Sequence, residues 1–169
     1  MKKSAVIIGL ATVFAMFINK ANAMQNPWVD CESDMQCGEE KAGFILPLRV
    51  ENYTIRAMDG LFEMRFPLND GREVIVRKAK YCEDEADENG IKDISGDYNN
   101  YPVKKTIELK NGVKFAVRGE ENNYKVVNFV ADTGYYAFMS DEGLKFEDIE
   151  QLYELLAEAE ATTDVELGE

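Results

Sequence analysis

LRVENYTIRAMDGLFEMRFPLNDGREVIVRKA, residues Leu48–Ala79, contains three runs of strand-forming residues separated by two turn signals. Leu48 to Met58 is rich in branched and aromatic side chains, and Asp59-Gly60 has the composition of a tight hairpin turn. In Leu61 to Leu68 the residues Phe62, Met64, Phe66 and Leu68 recur at every second position, the period that puts them on one face of a strand. Asn69-Asp70-Gly71 turns the chain again into Glu73 to Ala79. Three consecutive antiparallel strands, a meander, follow from this stretch alone.

Downstream, Glu83 to Tyr101 loses the alternation and reads as an acidic, glycine-containing loop. Thr106 to Lys110 and Val113 to Arg118 flank Asn111-Gly112, a strong hairpin signal, and Tyr124 to Ala131 and Tyr135 to Met139 add two more strands around Asp132-Thr133-Gly134. Phe146, Ile149, Leu152, Tyr153 and Leu156 then recur at helical spacing, with Glu147, Glu150, Glu154 and Glu158 on the opposite side, so an amphipathic helix is expected to end near Ala161. Upstream, Ser33-Asp34-Met35-Gln36 has capping-box spacing and starts a short helix near Asp34, which Gly43 closes. The order predicts an α+β fold: a single antiparallel sheet of seven strands in two meanders, with a short N-terminal helix and a longer C-terminal helix packed on one face.

The chain starts with Lys2 and Lys3, an apolar run from Ala5 to Ile18, and the small residues Ala21-Asn22-Ala23, the arrangement of a secretory signal cleaved before Met24. The apolar run is shorter than the ~20 residues a membrane-spanning helix needs, so it reads as an address and not an anchor. The expected organisation is a signal peptide over 1–23, one domain over 24–161 and an acidic, flexible tail over 162–169. Cleavage of 23 residues from 169 leaves 146, enough for one core. It also removes three lysines and no acid, taking the net charge from −13 to −16. Nucleic acid and anionic membranes are repelled by such a chain, and a monomer that is exported to a periplasm or the extracellular space, with an extracytoplasmic protein or a small ligand as partner, is the expected state.

The sequence has no histidine, which excludes the Ser-His-Asp and Cys-His nucleophile systems and the common imidazole zinc sites. Three cysteines allow at most one internal bridge. Cys31 with Cys37 is the preferred disulfide, because the capping turn folds the chain before it back over Cys37; two free thiols are the alternative in a reducing habitat. Cys82 is then left over, a nucleophile candidate without an obvious base.

The loop Asp84 to Asp93 invites a calcium reading through Glu85, Asp87, Asn89 and Asp93, since hard cations favour clustered carboxylates around a glycine turn. With Gly90 at the glycine position of an EF-hand, however, Lys92 falls where an apolar residue belongs and Gly96 falls where the bidentate glutamate belongs. A solvated connection accounts for the loop better, and no cofactor is expected, with calcium as the alternative. Arg77 and Lys78 at the end of the third strand, with Ser95, Asp97 and Tyr98 after the loop, form the candidate ligand-binding set. The same residues suit a loop-fixing role, with Asp97 accepting backbone amides and Arg77 bridging, and this is the favoured reading. No catalytic residues are identified.

Asn26-Pro27-Trp28-Val29-Asp30, Ala42-Gly43-Phe44, Arg77-Lys78-Ala79, Ile94-Ser95-Gly96-Asp97-Tyr98 and Gly143-Leu144 together resemble a family of small exported bacterial proteins built on a domain of unknown function. That family is similar to the extracytoplasmic domain of some anti-sigma factors. The resemblance implies an antiparallel sheet flanked by helices and supplies no activity. The chain departs from the family at Lys145, where a Ser or Thr helix cap belongs, and in the lengthened acidic segment Glu83 to Asn89. The expected function is a non-enzymatic binding or interaction module; a calcium-stabilised structural domain and an envelope-directed enzyme without histidine are the alternatives.

Overall fold

The computed structural model describes residues 26–38, 42–46 and 48–166. The leader over 1–23 lies outside the described residues. Among the described residues eight strands form one antiparallel sheet: β1 (Val29–Cys31), β2 (Thr54–Met58), β3 (Leu61–Pro67), β4 (Glu73–Ala79), β5 (Val103–Glu108), β6 (Lys114–Glu120), β7 (Asn123–Ala131) and β8 (Gly134–Leu144). Their order across the sheet is β1-β2-β3-β4-β8-β7-β6-β5, so the two meanders join where β4 pairs with β8, Arg77 opposite Ala137. A single helical turn, α1 (Asp34–Cys37), follows β1, and a long helix, α2 (Phe146–Glu166), ends the described chain.

The turns form where their chemistry demands. Asp59-Gly60 closes a two-residue hairpin between Met58 and Leu61, with Gly60 in the left-handed region. The Asn69-Asp70-Gly71 and Lys110-Asn111-Gly112 connections share one geometry: Leu68 N bonds Arg72 O, Leu109 N bonds Val113 O, and the glycine of each has positive φ.

Several element boundaries differ from the sequence expectation. The sheet has eight strands, not seven, because β1 is three residues long, too short for alternation to be visible, and is tied back by a disulfide between Cys31 and Cys37 (Cα–Cα 5.4 Å). The expected strand Leu48 to Met58 begins only at Thr54: Asn52 has φ +55°, a left-handed residue that a pleated strand cannot contain. The expected N-terminal helix is only the four-residue turn α1, where Ser33 Oγ accepts a hydrogen bond from Gln36 N (3.3 Å). The C-terminal helix runs beyond Ala161 to Glu166, since the first stop residue after the amphipathic run is Gly168. Its start lacks a Ser or Thr cap; instead the carboxylate of Asp148 accepts Lys145 N (2.8 Å) and so reaches back over the first turn.

One sheet face holds the main core. Phe62, Met64 and Phe66 of β3, Val74 and Val76 of β4, Phe115 and Val117 of β6, Phe129 of β7 and Tyr136 and Phe138 of β8 are buried together with Cys37, Leu46 and Leu48 and with Ile149, Leu152 and Leu156 of α2. Phe129 is the centre of an aromatic cluster, 4.9 Å from Phe115, 5.1 Å from Tyr136 and 5.0 Å from Phe138 between ring centroids. At the edge of this core Lys78, Tyr136 and Thr133 converge on Glu160 of α2, Lys78 Nζ at 3.0 Å and Thr133 Oγ1 at 2.7 Å, and so fasten the far end of the helix to the sheet. Burial and the bond to Glu160 push the Tyr136 hydroxyl well above the ordinary tyrosine range. Among the described residues no helix is long and apolar enough to cross a membrane.

Replacing Phe129 by alanine removes a fully buried ring from this cluster and is expected to cost about 3–5 kcal/mol in a urea titration, with an unchanged slope. A loss below ~1 kcal/mol would mean that the aromatic cluster is not the centre of the core.

Candidate functional site

Among the described residues no helix covers the other face of the sheet. Its central residues run in register across the strands: Arg56 on β2 opposite Glu63 on β3, Glu63 opposite Arg77 on β4, Arg77 opposite Ala137 on β8, Ala137 opposite Asn128 on β7. Glu63 is completely buried there. Its Oε1 accepts from Arg56 Nε (2.5 Å) and Arg65 Nε (2.8 Å), and its Oε2 from Arg77 Nε (2.7 Å). Burial pushes this carboxyl up, but the bonds from Arg56 and Arg65 and the charge and bond of Arg77 outweigh it and hold it below its ordinary value. Trp28, just before β1, lies over two of these guanidiniums, 4.4 Å from Arg56 Cζ and 5.1 Å from Arg77 Cζ to the ring centroid.

Arg77 also reaches the long loop between β4 and β5. Its Nη1 donates to the carbonyl of Ser95, and the Cβ that an alanine would add at Gly96 would lie 3.1 Å from the same nitrogen. Gly96 has φ +63°, so both the backbone and the packing call for glycine. Arg118 on β6 is the second fastener: its Nη2 donates to Ser95 Oγ (2.9 Å) and Asp97 O (2.9 Å) and lies 2.8 Å from Asp93 Oδ2. Asp93 Oδ1 accepts from Ser95 N, Ser95 Oγ and Asn128 Nδ2, while Asn128 Oδ1 accepts Ile94 N (3.3 Å). Ile94 packs on Ala79 and Ala137, whose small side chains admit it to the sheet surface. Asp97 accepts Asn99 N and Tyr101 OH, both at 2.7 Å; burial raises its carboxyl, but these bonds and the Arg118 charge outweigh burial and hold it below its ordinary value.

The structure therefore brings together Arg77, Ser95 and Asp97 of the sequence-selected set, in a network completed by Arg118, Asp93 and Asn128. Lys78 lies on the opposite face, bonded to Glu160, as its place next to Arg77 in a strand requires. Tyr98 makes no part of the network and is 94% exposed. Glu63, Arg56, Arg65, Trp28, Arg118 and Asn128 are the residues that sequence reasoning missed. The available signal was their parity: Arg56, Glu63, Arg65 and Arg77 all occupy the non-core positions of three successive strands.

Of the residues proposed for calcium, Asp87, Asn89 and Asp93 are held by protein donors. Asp87 Oδ1 accepts Asn89 N (2.8 Å) and Ile91 N (2.9 Å) and builds the turn, Asn89 Oδ1 accepts Lys114 Nζ (3.1 Å), and Asp93 is held as above. Glu85, Asp87 and Asp93 line a depression of about 310 Å³ whose other walls include Lys92 and Arg118. Among the described residues no three His, Cys, Asp or Glu side chains converge as a metal site. Cys82 is a free thiol, half-buried, and its carbonyl accepts Lys92 Nζ (2.6 Å). No family model, curated protein or solved structure matches the chain.

Glu63→Gln leaves three guanidiniums without their shared counter-charge and is expected to destabilise the fold by about 3–5 kcal/mol. Because the folded carboxyl lies below its ordinary value of 4.5, its contribution is complete above that pH and is lost as pH falls through the folded value. Stability of the parent measured by denaturant titration should therefore drop on acidification below about pH 4.5 more steeply than that of the variant; parallel curves would remove Glu63 from this role. Separately, melting in millimolar calcium and in chelator should give the same midpoint, since Asp87 and Asp93 are already bonded; a rise with calcium would restore the metal reading.

Proposed function

We propose that the chain is an exported, non-enzymatic interaction module, acting as a monomer without a membrane anchor, which holds the loop over residues 80–101 out to an extracytoplasmic protein or small ligand. The observation that carries this reading is the contrast within five residues: Ser95 and Asp97 are fastened by Arg77 and Arg118, while Tyr98 beside them is 94% exposed. A large aromatic on a rigid support offers contact area at low entropic cost, the usual property of a binding anchor. Export is supported by the Lys2-Lys3, Ala5–Ile18 and Ala21-Asn22-Ala23 leader, and a Cys31–Cys37 disulfide suits an oxidising compartment. The likeness to small exported bacterial proteins agrees with that compartment and adds no ligand. The lack of histidine, and a network in which each charged group already has a protein partner, favour binding over catalysis.

Two measurements test the proposal. The tagged protein recovered from its native host should begin at Met24 and fractionate outside the cytoplasm; an intact leader on cytoplasmic protein would overturn the export half. A ligand identified by thermal shift in a panel of envelope fragments should lose about tenfold or more in affinity to Tyr98→Ala, with the melting temperature of the free protein unchanged. Catalytic turnover of any panel member would overturn the non-enzymatic half.

A further inference from the structure

On the helix side of the sheet, away from the loop, a trough of about 550 Å³ runs between the chain segment at Val50-Glu51-Asn52, the β3–β4 turn and the first half of α2. We infer that this trough is a second binding site, for a short peptide segment of a partner that places an apolar side chain next to lysine or arginine.

The volume falls in the range of real ligand sites, about 300–1,000 Å³. Its floor is apolar: Phe66 and Leu152 are almost fully buried core residues, and Leu68 and Leu155 are half-buried beside them. Its rim is acidic. Glu51 and Asp70 are exposed, and Asp148 lies deeper. The one cation among the lining residues is Arg72, and its donors are already engaged: Nε with Asp70 Oδ2 (2.7 Å), Nη1 with Gly143 O (2.6 Å), and Nη2 with Asp148 Oδ1 (3.0 Å). Three carboxylates against one guanidinium leave two negative charges in excess at the trough, and Arg49 and Glu158 beyond its end balance each other, so in a chain of net charge −13 charge complementarity selects a cationic occupant. The apolar floor requires that the cation be accompanied by an apolar group.

An extended occupant fits better than a compact one. Leu155 also lines a second, shallower depression, of about 170 Å³, with Arg49, Glu158 and Ala159. From Asp148 to Ala159 the helix advances eleven residues, roughly 16 Å at 1.5 Å each. A small amine would fill one end, whereas a peptide of several residues follows the whole line.

The wall at Val50-Glu51-Asn52 carries independent weight. Its residues have strand-forming neighbours, and continuous pairing with β3 was the local expectation. Instead, the chain leaves the sheet at the left-handed Asn52, and that departure opens the trough. A local rule broken at one place in an otherwise consistent fold is where a functional reason is to be sought.

The test uses a fluorescein-labelled peptide of sequence Gly-Lys-Leu-Lys-Phe-Gly, its Glu-for-Lys counterpart and n-hexylamine, titrated by anisotropy or competition against the full folded domain. The basic peptide should bind, weakening as salt is raised, and the acidic one should bind at least about tenfold more weakly. Glu51→Lys, a change at an exposed position, should weaken the basic peptide about fivefold or more without moving the melting temperature; Leu155→Ser should weaken it too, while Tyr98→Ala should not. Equal binding of the two peptides, no binding of either at millimolar concentration, or binding unchanged by Glu51→Lys in a folded protein would overturn the inference. So would hexylamine competing as well as the peptide, which would make the site one for small amines. Concentration-dependent dimerisation abolished by Glu51→Lys would likewise overturn it, in favour of a second copy as the occupant. Because Tyr98→Ala leaves this site intact, failure here is distinguishable from failure of the loop reading.

Discussion

A carboxylate with no exposed surface sits near the middle of a β-sheet face, and most of what is distinctive about this fold follows from how it is tolerated. Moving Glu63 out of water costs several kcal/mol, and no single surface contact offsets that. Three guanidiniums from β2, β3 and β4 do so together, each through a charge-assisted bond, with Trp28 closing over two of them. Arg77 then extends the same chain of bonds to Ser95. The path from Glu63 to Arg77 to the Ser95 carbonyl is continuous, so the position of a loop some thirty residues downstream is set by a charge on β3.

An open eight-stranded sheet has two faces to cover, and this chain covers them by different means. On one side helix α2 and the segment carrying Cys37, Leu46 and Leu48 bury apolar side chains in the ordinary way. On the other the cover is a loop without regular structure, whose backbone polar groups must find partners without a ladder. Asp93, Ser95, Asp97, Asn128 and Arg118 supply them, and Ile94 on Ala79 and Ala137 adds a small apolar contact. Polar fastening of this kind is directional, whereas apolar burial tolerates sliding. The loop crest at Tyr98 is thereby held at a defined place while remaining in solvent.

The alternation in β3, β4, β6 and β7 and the helical spacing from Phe146 to Leu156 were legible because each is a local pattern imposed by burial on one side. The Asp59-Gly60 and Asn111-Gly112 turns were legible because positive φ restricts the residue types. The β4–β8 pairing that unites the sheet was not, since nothing in either strand states which edge it will meet. Nor was the loss of residues 48–53 from β2: Val50 and Tyr53 suit a strand, and only the conformation of Asn52 removes them. In the site, Arg77, Ser95 and Asp97 were legible as loop fasteners from their chemistry. Glu63 was not, because a polar residue on the non-core parity of a strand reads as a solvated one. Lys78 shows a rule under-used: consecutive strand residues face opposite sides, so Lys78 and Arg77 could never share a site.

Most of the ion pairs among the described residues are made by arginine. Arg56, Arg65, Arg72, Arg77 and Arg118 are all ion-paired within the fold, and four of them serve the helix-free face. Lysine would not serve in these places. Arg77 bonds Glu63 through Nε and the Ser95 carbonyl through Nη1, two acceptors in different directions held by one rigid planar group. An ammonium offers a single compact charge on a flexible stem and would satisfy one acceptor while leaving the other unpaired. The fork geometry of arginine is thus what lets one side chain neutralise a buried carboxylate and anchor a loop at once, and it explains why the helix-free face is built from guanidiniums in a chain otherwise dominated by acids.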